Sequence, residues 1–503
     1  MVPRLPARPP FALRAALATP LGEGGFRYEP DGILAVDAAG HIASISDART
    51  LTSSRPSETI DLRPWLLLPG MVDLHAHLPQ LPNVGLGAGM GLLPWLERYI
   101  FPLERAFDEA TAERLAPAVF RAMASAGTTT AVVYGAIFEP SLEATFRAAE
   151  AHGIRAVIGK VMMDRLTYDR LTPEQALEIS LRQSADLCSR WHGRDDGRLT
   201  YAFSPRFAVA CTAEMLRESA RLAEHYGAYW QTHLAEDAGE IAEVARLFPS
   251  ARDYLDVYDQ AGALGARTIL AHAIHLSARE LARLVETGSR IAHCPASNLF
   301  LAGGLMPLAR YLDAGAVVGL GSDVAGGPEL SMFSVMRAGA YVHGALMAQG
   351  ETRAALGPLE WLRLGTLEGA RALGLEERIG SLEPGKEADL IAVDPRLTDP
   401  LPGLGAGGPL PGLGAGGSDD PLPGHGAGGP LPGHGAGDPL RGLGAGGPLP
   451  GLDSGPGSEE PADLIGRLIF RAHPEMVRAA WVRGRLLEGP GDGNAGARTY
   501  ASA

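Results

Sequence analysis

The chain has 503 residues, 46% of them hydrophobic, and a formal net charge of −14. That is enough apolar material for a large core and a smaller one, and the acidic balance argues against nucleic-acid or anionic-membrane partners, which need a basic face. No apolar run reaches the roughly 18 residues of a membrane span.

Taken in chain order, residues 10–67 read as short strands with turns, as in the stretch DGILAVDAAGHIASI. The first 22 residues faintly resemble an export signal. Arg14 interrupts the short apolar part, however, and a cytoplasmic protein is expected. The three cysteines, Cys188, Cys211 and Cys294, are isolated in sequence and point the same way, since they form no Cys-x-x-Cys metal or redox pair.

From WLLLPGMVDLHAH onward, short apolar runs suited to strands buried on both faces follow one another: GTTTAVVYG, IRAVIGKVMM, LTYAFSPRF, YWQTH, TILAH, SRIAHCP and AVVGLGSD. Between most of them lie stretches such as residues 173–191 and 213–227, with apolar residues recurring at three and four, the helical period. Strand and helix alternating eight times predicts an α/β fold, a (β/α)8 TIM-like barrel, over residues 68–370. A matching set of strand signals after it, in GSLEPGKEADLIAVD and MVRAAWVRGRLLEG, pairs with the first one. Residues 1–67, 371–398 and 461–490 are therefore assigned to one small β-sandwich domain built from both chain ends.

Residues 399–460 interrupt that second segment. From Pro400 to Leu452 a nine-residue unit recurs, PLPGLGAGG or PLPGHGAGG, without aromatics or sustained apolar periodicity. Such a composition buries too little surface to fold alone, and a disordered surface loop is expected. Lengthening a loop from about 10 to about 60 residues costs only ~1.6 kcal/mol in closure entropy, so the small domain can tolerate it. His425 and His434 within the repeat are single histidines and are not read as a metal site.

Five residues at predicted strand ends carry the chemistry: His75 and His77 in VDLHAHLPQ, His233 in QTHLAED, His272 in LAHAIHLS and Asp323 in GLGSDVAGG. Residues two apart on a strand share a face, so His75 and His77 can both reach inward while Ala76 faces away. Active sites of such barrels lie at the C-terminal strand ends, where all five fall. A single histidine beside an apolar strand is more often hydrogen-bonded and structural, and Asp73, Asp164, His275 and His293 are read that way.

This arrangement resembles the amidohydrolase superfamily and, within it, the branch that deaminates guanine. The resemblance is carried by PGMVDLHAHLPQ, PWLERYIFPLE, SPRFAVACT, QTHLAED, AHAIHLS, HCPASNLFLAGG, GLGSDVAGG and LGLEERIGSLEPGKEADLIAVD, and resumes at IGRLIFRAHPEMVRAAWVRGRLL. It is loose in LPNVGLGAGMG, a stretch expected to help shape the pocket. It implies one zinc per chain held by His75, His77, His233 and Asp323. Three neutral imidazoles, a carboxylate and an open position for water suit that metal. It further implies that His272 orients the water, that Asp323 accepts a proton from it, and that Glu236 passes a proton to a ring nitrogen and then to the leaving amine. Gln80, Arg206 and Phe207 would bind the substrate, a purine or related heterocycle, and the chain would form a homodimer.

Some relatives bridge two zincs with a carboxylated lysine. Only two lysines occur here, Lys160 and Lys386, and neither falls on the fourth strand, which offers Arg206 instead. One metal is therefore expected. The implied reaction is hydrolysis of guanine at its 2-amino group to xanthine and ammonia. The alternatives are another nitrogen heterocycle, such as 8-oxoguanine, isoxanthopterin or a triazine that loses halide, and a catalytically silent binding or assembly relative. Silent relatives lose ligands, and this chain keeps the full set.

Overall fold

The eight apolar runs form eight parallel strands in the computed structural model, which describes residues 4–49, 59–167, 171–400 and 460–489. In chain order and side by side they are Met71–His77, Thr128–Tyr134, Arg155–Gly159, Leu199–Pro205, Tyr229–Leu234, Thr268–His272, Arg290–His293 and Val317–Leu320. Nearly every residue on them is buried. This explains why they read as continuous apolar runs: helices cover the outside and side chains fill the inside.

The ring closes where the last strand meets the first. The Asp323 amide donates to the His75 carbonyl at 2.7 Å, and the His77 amide donates to Val324 at 2.9 Å. Beside them Ser322 donates to the buried Asp73 carboxylate through its amide at 2.9 Å and its hydroxyl at 2.6 Å. Burial pushes Asp73 up to about 6, against the pull of those bonds. Asp73 is thus the structural residue expected, and it clasps the seam on which the site is built.

The helices follow their local signals. Pro173–Trp191 starts with Pro at its first position behind a Thr172–Gln175 capping box. Ala213–Tyr226 is capped by Thr212 and stopped by Gly227, whose φ of 63° is the left-handed value that ends helices. Asp164 accepts from the amide and hydroxyl of Thr212, and His275 meets the Gly303 carbonyl at 2.7 Å, structural uses of both.

The chain ends build a separate seven-stranded sheet along one hydrogen-bonded path. Its order is Arg485–Leu486, Val477–Val482, Leu390–Val393, Thr59–Pro69, Phe11–Pro20, Phe26–Val36 and Ile42–Asp47. Thr59–Pro69 runs on through Gly70 into the first barrel strand, so the expected boundary at residue 67 falls two residues short of the strand's end. The helix Pro461–Phe470 packs on the barrel helices Met332–Ala348 and Pro358–Leu364. The repeat, from residue 401 onward, lies outside the described residues, as do His425 and His434.

A buried ion-pair network joins the sheet to the barrel. Arg155, at the start of the third barrel strand, bonds Asp389 at 3.0 Å and also Glu387, while Arg378 and Arg483 reach Glu387 at 2.9 and 2.8 Å. Arg155→Ala leaves two buried carboxylates without their main partner. It should cost about 3–5 kcal/mol of stability in chemical denaturation, with the specific activity of the folded fraction unchanged. A loss below about 1 kcal/mol would show that the network is not holding the two parts together.

Candidate metal and active site

All five predicted residues meet at the C-terminal mouth of the barrel. His75 and His77 end the first strand, His233 lies one residue before the end of the fifth, His272 ends the sixth, and Asp323 follows the eighth. His77 Nε2 lies 3.2 Å from His75 Nε2 and 3.1 Å from His233 Nε2. Asp323 Oδ1 lies 3.2 Å from the first of these histidines and 3.3 Å from His77. Ligand atoms of His75, His233, His272 and Asp323 all fall within 4.8 Å of one another. His75, His233 and Asp323 are therefore shared between a group that includes His77 and one that includes His272.

Such a cluster is hard to satisfy by hydrogen bonds alone. The His233 Nδ1–H donates to the Arg206 carbonyl at 2.6 Å, which fixes the tautomer and turns the Nε2 lone pair toward His77. Ring nitrogens facing each other at this distance repel unless a proton or cation lies between them. Burial works against the proton: it holds His77 below, and His233 well below, the usual imidazole range, with neighbouring histidines adding to the effect. Neutral imidazoles around one carboxylate oxygen fit a divalent metal of the zinc type. Burial alone would raise the Asp323 carboxyl, but its bonds to His75 and His77 outweigh that and hold it well below its ordinary value.

His272 faces a different company. Its Nδ1 meets Asn298 Oδ1 at 2.9 Å, and burial lowers its pKa to about 4. Its Nε2 lies 3.4 Å from Glu236 Oε2 and 3.8 Å from Asp323 Oδ2. Asp323 Oδ2 in turn accepts from the Ser297 hydroxyl at 2.5 Å. Burial first, and then the Asp323 charge, hold Glu236 well above the ordinary carboxyl value, the direction that favours its protonated form. The Glu236 amide is anchored to the buried Glu240 carboxylate at 2.9 Å, in the capping box that opens the helix Ala238–Leu247.

The backbone is strained where the site is made. His272 and Asp323 have φ of 68° and 47°, and Ala235 and Ala273 lie at 48° and 50°. Left-handed non-glycine residues cost energy and cluster at functional sites. These four sit at or just beyond the ends of the fifth, sixth and eighth strands.

Over the cluster lies a pocket lined by His77, His233, Glu236 and Asp323 together with Gln80, Arg206 and Phe207. Leu92, Trp95, Leu96 and Leu301 form its apolar wall. The glycine-rich stretch before Leu92 shapes that wall: a Cβ on Gly87, which has a φ of 95°, would come within 2.4 Å of the Trp95 ring. Trp95 Nε1 donates to the Leu86 carbonyl at 3.0 Å, and the Gly89 amide donates to Phe300, beside Leu301, at 2.7 Å. Lys160 turns away from the pocket, its Nζ 3.5 Å from Ser180 Oγ on the helix outside the barrel.

Two residues not singled out in the sequence complete the picture. Glu104, fully buried, accepts from Gln80 Nε2 at 2.8 Å and from Arg206 Nη1 at 2.5 Å. Asn298 orients His272. Both lie in segments that carried the resemblance, PWLERYIFPLE and HCPASNLFLAGG, but neither has a local pattern that names its partner.

The sequence profile of the amidohydrolase family matches residues 66–412. The chain is 40% identical over 396 residues to a probable guanine deaminase of Deinococcus radiodurans, covering 77% of this chain and 86% of that one. The solved guanine deaminase of E. coli superposes with a TM-score of 0.79 at 31% identity, covering 95% of this chain and all of that one. A guanine deaminase from C. acetobutylicum, solved with guanine in its active site, gives 0.77 at 25% identity, covering 95% and 99%.

Proposed function

Because this chain belongs to the amidohydrolase family, we propose that it hydrolyses guanine to xanthine and ammonia, using one zinc ion held by His75, His77, His233 and Asp323. The observation that carries this reading is the pocket itself. It gathers a metal-donor cluster and the Glu236 carboxyl into one lining with an amide, a guanidinium and an aromatic ring.

When bound, zinc supplies activation of a water molecule near neutral pH. The remaining work falls to side chains. Arg206 and Gln80 pair with polar ring edges, and Phe207 lies against the ring face. Asp323 takes a proton from the attacking water, and His272 orients that water. Glu236 delivers a proton to the ring nitrogen beside C2 as the C2–O bond forms. Recharged with the proton that Asp323 took from the water, it then delivers one to the amine as the C2–N bond breaks and ammonia leaves. The proton of the new C2 hydroxyl returns to Glu236.

One zinc rather than two is supported by the chemistry around the fourth strand. Arg206 there keeps its charge and cannot be carboxylated as a bridge, while Lys160 points to Ser180. A cytoplasmic homodimer belongs to the same reading. The exposed apolar side chains Tyr341 and Phe470, whose rings lie 5.9 Å apart, support self-association. Among the described residues no helix is long and apolar enough to cross a membrane.

The decisive measurement is ammonia release from guanine, 8-oxoguanine, isoxanthopterin, adenine and cytosine by the zinc-loaded protein. Guanine should give the highest kcat/KM by at least about 100-fold, as expected where polar groups of a site are left unpaired by the wrong ring. Release from a pterin with none from guanine would overturn the substrate and leave the family assignment standing.

A further inference from the structure

We propose that Glu104 is the positioning residue that sets the hydrogen-bond polarity of the substrate wall, making Gln80 an acceptor and Arg206 a donor. The inference rests on the purine reading of this pocket and deepens it.

Gln80 alone carries no polarity. Its amide has a donor end and an acceptor end, and a half-turn exchanges them. The Glu104 carboxylate removes the choice. Its Oε1 takes the Gln80 Nε2–H at 2.8 Å, while its Oε2 is paired with Arg206 Nη1 at 2.5 Å. A carboxylate in an ion pair with arginine accepts and does not donate. The Gln80 nitrogen is thus turned to Glu104, and its carbonyl oxygen is the amide atom left to face a ligand. Arg206 has nothing but donors to offer. The wall therefore reads as an acceptor beside a donor, and the ring edge it recognises carries an N–H next to a carbonyl oxygen or bare ring nitrogen. Guanine presents such edges at N1–H with O6 and at N9–H with N3.

The local chain explains how one short element does this. The helix Phe101–Arg105 places Phe101 and Glu104 three residues apart, on one face. The Arg206 guanidinium lies 5.4 Å from the Phe101 ring centroid while its Nη1 bonds Glu104. One turn of helix thus brackets Arg206 by charge and by ring. Gln80 is buried to 1% exposure, Arg206 to 2% and Glu104 to 0%. Glu104 does not line the pocket and touches a ligand only through the two residues it holds.

The test is Glu104→Gln in the zinc-loaded full chain. The volume is preserved, but the ion pair is lost and Gln80 is free to turn over. KM for guanine should rise about 10- to 100-fold, the worth of a hydrogen bond to a charged group. The turnover number should change by less than about 5-fold, with metal content and melting temperature near wild type. The guanine-to-adenine ratio of kcat/KM should fall with it, and Glu104→Asp should recover part of both losses. An unchanged KM in a folded variant overturns the proposal. So does a joint loss of metal and melting temperature, which would mark a merely structural residue. If Glu104→Gln does not fold, folded Glu104→Asp decides by the same KM criterion. A wild-type chain inactive on guanine overturns the purine reading. The variants are then compared on whichever ring the wild type accepts, where an unchanged KM overturns Glu104 alone. A wild type that neither binds nor deaminates any ring tested overturns both.

Discussion

Glu236→Gln should lower kcat for guanine by about 10³-fold, within the range lost when a general acid–base is removed, while metal content and fold stay intact. The amide keeps the size and can still donate a hydrogen bond, but it cannot give up a proton and take another within one turnover. The site is arranged around that proton. Glu236 is nearly sealed from solvent, and its Oε2 lies 3.4 Å from His272 Nε2. The carboxyl is held above its ordinary value first by burial and then by the Asp323 charge. Its backbone is fixed through Glu240, so loss of the proton should not displace the loop. The check is steady-state ammonia release together with metal analysis of the same sample. A variant retaining more than about a tenth of wild-type kcat would remove Glu236 from the chemistry and point to a carrier outside the residues named here.

Two single substitutions should separate the members of the histidine cluster. His77→Asn should lose most of its zinc on dialysis and its activity with it. His272→Asn should keep zinc within about twofold of wild type and lose about 10²- to 10³-fold in kcat, the usual effect of removing one oriented polar group from an active site. The distinction follows from their neighbours. His77 Nε2 is 3.1–3.3 Å from two imidazole nitrogens and a carboxylate oxygen, the spacing of ligand atoms gathered around one point. His272 Nε2 has Glu236 and Asp323 oxygens as its nearest charged partners, at 3.4 and 3.8 Å, so it faces the groups that move protons. If His272→Asn loses the metal and His77→Asn keeps it, the two roles are exchanged. Equal metal loss from both would mean that all five residues bind.

The barrel was legible because its strands are buried on both sides. Full burial turns AVVY, AVIG and ILA into unbroken apolar runs that local composition reveals, and the polar residues that end those runs then stand out. His75, His77, His233, His272 and Asp323 were found in this way. What escaped detection depends on contacts between distant segments. Glu104 meets Gln80 and Arg206 from 24 and 102 residues away. Asn298 meets His272 across 26 residues. A buried glutamate near the end of a short helix looks in sequence like any solvated charge, and only the approach of Arg206 gives it meaning. The order of the small sheet was equally hidden. Its central strand, Thr59–Pro69, is parallel to Phe11–Pro20 and antiparallel to Leu390–Val393, a choice made by packing rather than by any run of residues.

The seam between the first and last strands also governs when the site can come into being. The clasp joins Asp73 to Ser322, 249 residues later, and the next residue supplies the carboxylate of the cluster. A chain emerging from the ribosome displays His75 and His77 early, then His233 and His272, yet has no ring to hold them together until Asp323 has been made. Contacts that span so much sequence form late, after shorter-range structure is in place. On the metal-site reading, capture therefore waits until Asp323 has been made, and the four histidines must pass through that interval without the partner that completes them.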